Sequence, residues 1–429
     1  MTAPRDRLRD RAVARLRADR GGAGDVRVWH VPGRIEVLGK HTDYAGGRSL
    51  LCTVDRGLVV AVAAREDAMV AVRDASAADP VRASLDEVAP AVRGGWAVYL
   101  DAVTSRLARN FGPDLRGADL VVESDLPRAA GLSSSSALVT GLFTALADRN
   151  ALDAREAYRQ NIRSVEDLAG YVSAIEAGAA FGSLAGNAGV GTMSGSEDHT
   201  AILCCQPDWL SRYAFCPVRA EGRVGFPDEC AFAVGVSGVV AVKTADARDH
   251  YNRAATAAAT VLRLWCDATG RSDPSLAIAA TSAPDAAERI REVLRRARLP
   301  PTFTARQLLD RFEQFFQESE RIVPAAFDAL ARHDFARFGD EVDRSQRGVE
   351  QWLGNQVPET IFLARAAREA GALAASAFGA GFGGSVWAMV PRAHDASFLD
   401  DWRRRYAAAF PHRRPDFFLT RPSAPLRRL

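Results

Sequence analysis

Four consecutive serines, residues 133–136, stand in the segment PRAAGLSSSSA of residues 127–137. A strand-like run over residues 119–123 precedes the segment, and an apolar helical run over residues 138–146 follows it. Serines at a helix start cap its free N–H groups, and these groups and the helix dipole attract anions. A plain serine-capped helix is the alternative, but four serines exceed what capping requires. The segment predicts a phosphate site, and since GxxxxGK(S/T) is absent, a P-loop is excluded.

Two further segments combine glycines with side chains that can bind ligands. The first, PGRIEVLGKHTDYAGG over residues 32–47, is a short strand followed by a charged turn with His41 and Asp43. Such a turn offers convergent hydrogen-bonding groups to a polar ligand, although a decorated hairpin has the same composition. The second, FGAGFGGS over residues 378–385, has glycines that permit tight turns and close backbone approach. Each segment is weak evidence alone, and their functional interpretation depends on finding all three together.

The elements that must position these segments alternate irregularly along the chain. Strand-like runs occupy residues 27–30, 35–38, 58–63 and 69–73, and helical periodicity dominates residues 96–110 and 135–178. A second strand-rich passage starts near residue 212 and includes residues 230–236, before helix over 246–265, 284–331 and 360–370 and a strand over 386–390. This spacing is not that of a doubly wound parallel sheet, so an α+β fold is predicted.

Length and composition limit the class of protein. At 429 residues the chain exceeds one ordinary hydrophobic core, so we predict two domains, residues 1–225 and 226–429, with a cleft between them. The 55 basic and 53 acidic residues give no electrostatic case for nucleic acid or membrane as a partner. The N-terminus lacks the apolar core of a signal peptide, and the longest apolar stretch, residues 230–242, is too short to span a bilayer. The six cysteines lack metal-ligand spacing. A soluble, cytoplasmic monomer or homodimer is expected.

The three segments resemble the three signature motifs of the GHMP kinase superfamily, in the family's order. The family's first motif in its galactokinase form reads roughly PGRVNLIGEHTDYNGG, and its matches here are Pro32, Gly33, Arg34, Leu38, Gly39, His41, Thr42, Asp43, Tyr44, Gly46 and Gly47. The second, PxxxGLxSS, is matched at Pro127, Gly131, Leu132, Ser134 and Ser135. The third, GAGFGG, is matched in full over residues 379–384. The resemblance spans nearly the whole chain. In the regions between the motifs, only the general pattern of the sequence is similar to the family's.

The resemblance implies a two-domain fold, ribosomal S5 domain 2-like at the N-terminus and ferredoxin-like at the C-terminus, with the active site and ATP in the cleft. It also implies Mg²⁺, held by Ser135, or else Ser134, together with Glu176 in AIEAGAAFG, which is similar to the family's AEHxFAG; an exposed helical glutamate is the alternative. Trp96, in WAVYL, resembles a segment near the adenine, with core packing as the alternative. The implied ATP-binding residues are Gly131, Leu132, Ser133, Ser134, Ser135, Ser136, Trp96, Gly381 and Gly383.

The catalytic base needs a separate alignment, because galactokinases carry it in GIMDQ and this chain has no such string. Counting backward from a strand-like run over residues 197–203 would place Ala188 at the position of the catalytic base and imply a catalytically inactive protein. Taking GSEDH, residues 195–199, as the element instead makes Asp198 the base and puts the strand near residue 212 about fourteen residues later, as the family requires. We therefore predict Asp198 as the base.

The predicted chemistry is phosphorylation of a monosaccharide at its anomeric C1 hydroxyl, with galactose or a related sugar as substrate. A carboxylate at Asp198 would accept the hydroxyl proton, and Arg34 would stabilise phosphoryl charge and keep Asp198 ionised. The substrate-binding residues implied by the resemblance are Lys40, His41, Asp43, Gly195 and Tyr251.

Lys40 departs from the family pattern, which has glutamate at this position near the sugar C6 hydroxyl. It is one of only two lysines in an arginine-rich chain. Either Lys40 points away and galactose remains the substrate, or it pairs with a uronic acid, or the substrate is a pentose. A catalytically inactive sugar sensor is the alternative from another class of function.

Overall fold

The computed structural model of the chain describes residues 4–22, 24–74, 77, 79–86, 94–127, 130–239 and 245–429, with the backbone alone for residues 245–250. Its strands are β1 (Val26–Leu38), β2 (Arg48–Ala64), β3 (Met69–Asp74), β4 (Val81–Ser84), β5 (Ala118–Ser124), β6 (Trp209–Ala214), β7 (Arg219–Gly225), β8 (Cys230–Val236), β9 (Ala374–Phe378), β10 (Ser385–Pro391), β11 (Asp416–Thr420) and β12 (Arg427–Arg428). Its α-helices are α1 (Pro4–Arg20), α2 (Ala97–Phe111), α3 (Ser134–Arg149), α4 (Glu156–Asn161), α5 (Val165–Ala177), α6 (Glu197–Cys204), α7 (Ala245–Thr269), α8 (Leu276–Ala280), α9 (Ala286–Arg296), α10 (Ala305–Gln317), α11 (Val323–Ala331), α12 (Phe335–Gly348), α13 (Pro358–Glu369) and α14 (Asp395–Ala409).

The larger sheet has the order β12-β1-β2-β5-β3-β4, with β6 joined to β2 and β7 to β6. Its pairs are antiparallel except for β3 and β5. The β1–β2 pairing shifts register between Pro32 and Arg34 and again between Glu36 and Leu38. Such bulges re-aim side chains near functional sites. Here they flank Arg34 and Glu36, which point to one face of β1 because they are two residues apart.

The smaller sheet is antiparallel in the order β11-β8-β10-β9. Its central strand β8 is buried along its whole length, as its apolar sequence CAFAVGV predicts. The glycine segment of residues 379–384 is the connection between β9 and β10. The smaller sheet therefore supplies one border of the site, and α3, α6 and β1 supply the other.

The sequence predicted most of these elements correctly, and the α+β fold class is confirmed. The strand-like assignment of residues 197–203 was wrong, because this segment is helix α6. Seven of the eight residues of α6 are buried, so its side chains show no exposed face by which a short apolar run could be recognised as helical.

The predicted domain boundary near residue 225 falls where the chain leaves the larger sheet. β7 ends at Gly225 and β8 begins at Cys230, but β12 returns to pair with β1 at Trp29 and His30. The two-domain division therefore stays a prediction. Among the helices that the structure describes, none combines the length and the apolar character needed to cross a bilayer.

Candidate active site

The three sequence segments meet around one cavity of about 150 Å³, which we call the serine-loop cavity. It is lined by Arg34, Glu36, His41, Asp43, Gly131, Ser133, Ser134, Ser135, Ser136, Glu176, Ser194, Gly195, Glu197, Asp198, Tyr251, Phe378, Gly379, Ala380, Gly381, Gly383 and Gly384. Most of the residues predicted for catalysis, sugar, nucleotide and metal are in this set. The exceptions are Lys40, Leu132 and Trp96.

The serine segment approaches the glycine segment so closely that side chains would not fit between them. Gly131 has a φ of +75°, and a Cβ there would lie 3.2 Å from the carbonyl oxygen of Phe378. Gly379 has a φ of +80°, and its Cβ would lie 3.1 Å from the carbonyl oxygen of Gly131. Helix α3 begins at Ser134, and the N–H groups of its first turn have no partner within the helix. The arrangement presents a helix N-terminus to the cavity, the geometry that binds phosphate groups.

Arg34 and Asp198 form an ion pair on the cavity wall. Asp198 lies in the first turn of α6, and its Oδ1 accepts a hydrogen bond from Arg34 Nε at 2.7 Å and forms an ion-pair contact with Nη2 at 2.6 Å. Arg34 Nη1 donates to the carbonyl oxygen of Gly131, which ties the pair to the serine segment. Burial alone would raise the pKa of Asp198, but the positive charge of Arg34 reverses this and holds it below its ordinary value. The carboxylate is therefore ionised and can accept a proton.

A single serine hydroxyl lies between two carboxylates. Ser136 Oγ is 2.9 Å from Oε2 of Glu176 and 3.2 Å from Oδ2 of Asp198. His199 Nε2 approaches the same Glu176 oxygen to 3.1 Å without hydrogen-bond geometry. A hydroxyl carries one proton and can donate it to only one of the two carboxylates at a time. These oxygen atoms are the ligand type that Mg²⁺ prefers, so the residues fit a metal site. Ser136 thus contacts Glu176, and Ser135, the serine that the sequence favoured, lines the same cavity, so its role at the metal stays a prediction.

The turn after β1 places His41 and Asp43 on the opposite border. His41 adopts a φ of 58°, with Nε2 at 3.1 Å from the carbonyl oxygen of Ala380 and Nδ1 at 3.0 Å from the hydroxyl of Tyr44. Because a carbonyl oxygen only accepts, Nε2 carries the proton and Nδ1 accepts from Tyr44. Burial and the nearby charge of Arg311 lower the pKa of His41 to about 4, which keeps the imidazole neutral.

Asp43 is held by backbone donors beside Gly195. Its Oδ2 accepts from the N–H of Glu197 at 3.1 Å, and its Oδ1 from the N–H of Tyr44 at 2.9 Å. A Cβ on Gly195 would lie 2.3 Å from Oδ2 of Asp43, so glycine is required at this approach. Tyr251 completes this border, with its ring 5.2 Å from that of His41.

Three predicted site residues do not reach the cavity wall. Lys40 is buried, and its Nζ donates to Ser345 Oγ at 2.8 Å. Leu132 is a core residue whose carbonyl oxygen accepts from the N–H of Arg34. Trp96 packs against the main hydrophobic core, and its proximity to adenine stays a prediction.

Two carboxyl residues of the cavity wall were missed by the sequence interpretation. Glu36 lies on β1, and Glu197 begins α6; both side chains are buried at the wall. The signal for Glu36 was present, because the family motif has asparagine at this position. Glu197 was part of the segment GSEDH, but no role at the site was predicted for it.

Comparison with known proteins identifies the family of these features. The galactokinase galactose-binding signature matches residues 18–64, the N-terminal domain of GHMP kinases matches residues 98–195, and the C-terminal domain of GHMP kinases matches residues 326–408. A galactokinase of Roseiflexus sp. (strain RS-1) is 28% identical over 381 residues, which cover 88% of this chain and 87% of the relative. A galactokinase of Streptomyces coelicolor is 34% identical over 186 residues, 43% of each chain. The crystal structure of Lactococcus lactis galactokinase complexed with galactose superimposes with a TM-score of 0.81 at 20% identity, covering 97% of this chain and all of that one.

Proposed function

Since the chain belongs to the GHMP kinase superfamily and carries the galactokinase signature, we propose that it transfers the γ-phosphoryl group of ATP to the anomeric C1 hydroxyl of galactose or a closely related monosaccharide. The observation that carries the proposal is the Arg34–Asp198 pair beside the N-terminus of α3. It joins a proton acceptor, a fixed cation and a phosphate-binding helix end around one cavity.

In this proposal Asp198 accepts the proton of the C1 hydroxyl while the hydroxyl oxygen attacks the γ-phosphorus of ATP and ADP leaves. A positioned general base contributes typically 10²- to 10⁴-fold to the rate. Arg34 aligns Asp198 and offers positive charge where the transferred phosphoryl group carries negative charge. The first-turn N–H groups of α3 bind phosphate oxygens, and His41 and Asp43 orient the sugar through its hydroxyl groups.

Magnesium is proposed as the metal that accompanies ATP. Glu176 and the hydroxyl of Ser136 would hold it, with Ser135 as the alternative serine. When bound, the ion supplies neutralisation of phosphate charge. A site with one carboxylate suits Mg²⁺, which keeps several waters and takes further oxygen ligands from the nucleotide.

The placement of Asp198 favours an active kinase over a sugar sensor. A sensor needs to bind the sugar but has no use for a partly buried carboxylate that is ionised and paired with an arginine next to the proposed phosphate site. Lys40 likewise gives no support to a uronic acid substrate, since its ammonium group donates to Ser345 and does not line the cavity. A cytoplasmic location and a monomeric or homodimeric state remain proposals from the sequence.

The test is a substrate panel with position-specific detection of the product. The protein is incubated with ATP, Mg²⁺ and galactose, galacturonate, glucuronate or arabinose, and ³¹P NMR identifies the carbon that carries the phosphate. We expect the highest kcat/KM with galactose and a phosphorus coupled to H1. Sugar binding without any sugar-dependent ADP release would identify a sensor and contradict the proposal.

A further inference from the structure

Glu36 presents a buried carboxyl group with one unpartnered oxygen at the cavity wall. The residue is 3% exposed, it lines the serine-loop cavity, and its Oε1 makes no hydrogen bond. Burying a carboxyl oxygen without a partner is costly, and the great majority of buried polar atoms are satisfied. Glu36 is an exception, and it lies on the wall of a cavity where a substrate with several hydroxyl groups is proposed to bind. We infer that a substrate hydroxyl provides the missing hydrogen-bond donor.

Lys40, a cation four residues after Glu36, makes its hydrogen bond outside the cavity. Lys40 Nζ donates to Ser345 Oγ at 2.8 Å, and that hydroxyl lies 2.9 Å from Oε1 of Glu318. The same glutamate oxygen accepts from the N–H of Gly39 at 2.8 Å. The lysine thus stabilises carboxylates from outside the cavity wall and does not present its ammonium group to the substrate.

Glu36 and Glu197 are two buried carboxyl groups in the same part of the cavity wall, and their pKa values show how both can be buried there. Burial, followed by the negative charges of Glu36 and Asp43, raises the pKa of Glu197 well above its ordinary value. Burial also raises the pKa of Glu36 to about 7, and the charges of Lys40 and Arg34 oppose that rise. Both shifts favour the protonated form, and the larger shift on Glu197 makes Glu36 the member of the pair that ionises more readily and can act as a hydrogen-bond acceptor.

Resting on the proposed function, we propose that Glu36 is a specificity-determining residue: its carboxyl group accepts a hydrogen bond from one non-reacting hydroxyl of a neutral sugar and repels sugar acids. Compared with the family motif quoted above, this chain has a carboxylate in place of asparagine at position 36 and a cation in place of glutamate at position 40. A hydroxyl donor satisfies Oε1, whereas a uronate would place a further negative charge beside Glu36, Asp43 and Asp198.

The experiment combines enzyme variants with substrate analogues. The kcat/KM values of the wild-type protein, Glu36→Gln and Glu36→Ala are measured on the best monosaccharide of the panel, on its monodeoxy analogues at each non-reacting position, and on the corresponding uronate. Glu359→Ala is the matched control, because it also removes a buried carboxylate, one that pairs with Arg413 and does not line the cavity.

We expect one deoxy position to lower kcat/KM by about 10- to 100-fold in the wild-type protein and in Glu359→Ala, and by less than about threefold in Glu36→Ala. Glu36→Gln keeps the volume and a neutral acceptor, so it should show a smaller loss at that same position. Glu36→Gln should also raise kcat/KM on the uronate at least about tenfold relative to the wild-type protein. Because the comparison is made within each variant, partial loss of folded protein cancels.

Two results would overturn the inference while leaving the kinase assignment intact. One is equal discrimination among the deoxy sugars by the wild-type protein and both Glu36 variants. The other is turnover of the uronate by the wild-type protein as efficient as that of the neutral sugar. If the wild-type protein phosphorylates no monosaccharide at C1, the proposed function fails and this inference fails with it.

Discussion

Arg34 meets a single carboxylate oxygen of Asp198 with two of its nitrogens, Nε at 2.7 Å and Nη2 at 2.6 Å, both to Oδ1. The second oxygen, Oδ2, is left with the hydroxyl of Ser136 at 3.2 Å. The arginine therefore fixes the orientation of Asp198 without occupying both oxygens. In the proposed mechanism, Oδ2 is therefore the oxygen that would receive the substrate proton.

Replacement of Asp198 by asparagine should abolish most turnover while preserving sugar binding. The amide has nearly the same shape but cannot accept a proton, so kcat should fall by about 10²- to 10⁴-fold. Steady-state kinetics and equilibrium sugar binding measure the two effects separately. Asp340→Asn, on the exposed side of α12, is the control and should keep wild-type kcat. Unchanged turnover in Asp198→Asn would rule out this residue as the base.

Removal of the Arg34 guanidinium should change the pH profile of the reaction. In the wild-type protein Arg34 holds the pKa of Asp198 below its ordinary value against the opposing effect of burial. In Arg34→Met the largest influence that lowers the pKa of Asp198 is lost, so this pKa should rise, and kcat/KM should be lost as pH falls and recovered as pH rises. The profile is measured from pH 5.5 to 9.

The matched control for this profile is Arg48→Met. Arg48 is a partly buried arginine paired with Glu221 and Glu320, away from the serine-loop cavity. Its variant should keep the wild-type pH dependence. An identical profile in Arg34→Met and the wild-type protein would show that Arg34 does not set the ionisation of the base.

The serine that assists the metal can be identified from the magnesium requirement. Ser136→Ala and Glu176→Gln should each raise the half-saturating Mg²⁺ concentration by at least about tenfold, because they remove the two oxygen donors that lie 2.9 Å apart. Ser135→Ala is the comparison variant and should have a smaller effect. The opposite order, with Ser135→Ala the more severe, would restore the serine indicated by the sequence.

Lys40 should be important for stability. In Lys40→Met the buried carboxylate of Glu318 loses the cation that is linked to it through the Ser345 hydroxyl, and losing a charge-assisted hydrogen bond of this kind costs about 1.5–3 kcal/mol of unfolding free energy. Adding Glu318→Gln in the same chain should recover part of the loss, since the unpaired charge is then removed. Urea denaturation measures both.

Arg56→Met tests the specificity of that stability effect. Arg56 pairs with the more exposed Asp416 at 2.7 Å, and its loss should cost less than about 1 kcal/mol. If Lys40→Met were no more destabilising than Arg56→Met, the buried lysine network would not contribute to folding in the way described.

The features that could be predicted from the sequence are those that depend on residues close together along the chain. The strands around residues 27–38 and 58–63, the helix that follows the serines, and the grouping of three motifs around one site were all predicted, because each depends on neighbouring residues. Asp198 was also chosen from the sequence, from its spacing to the next strand, and it lines the cavity, while its role as the base stays a prediction. The helical state of residues 197–203 was missed because a short run that is buried all round has no visible period.

What only the tertiary structure decided is which side chain meets which partner. Successive residues on α3 point about 100° apart, so whether Ser135 or Ser136 faces Glu176 depends on how α3 packs against α5. Lys40 turns from the cavity because Ser345, 305 residues later, lies within reach of its ammonium group. The sequence by itself predicted a phosphate site at the serines and identified the family of this protein. The environment of Lys40 and the exposure of Glu36 to the cavity are contacts between distant segments, and only the folded packing brings such groups together.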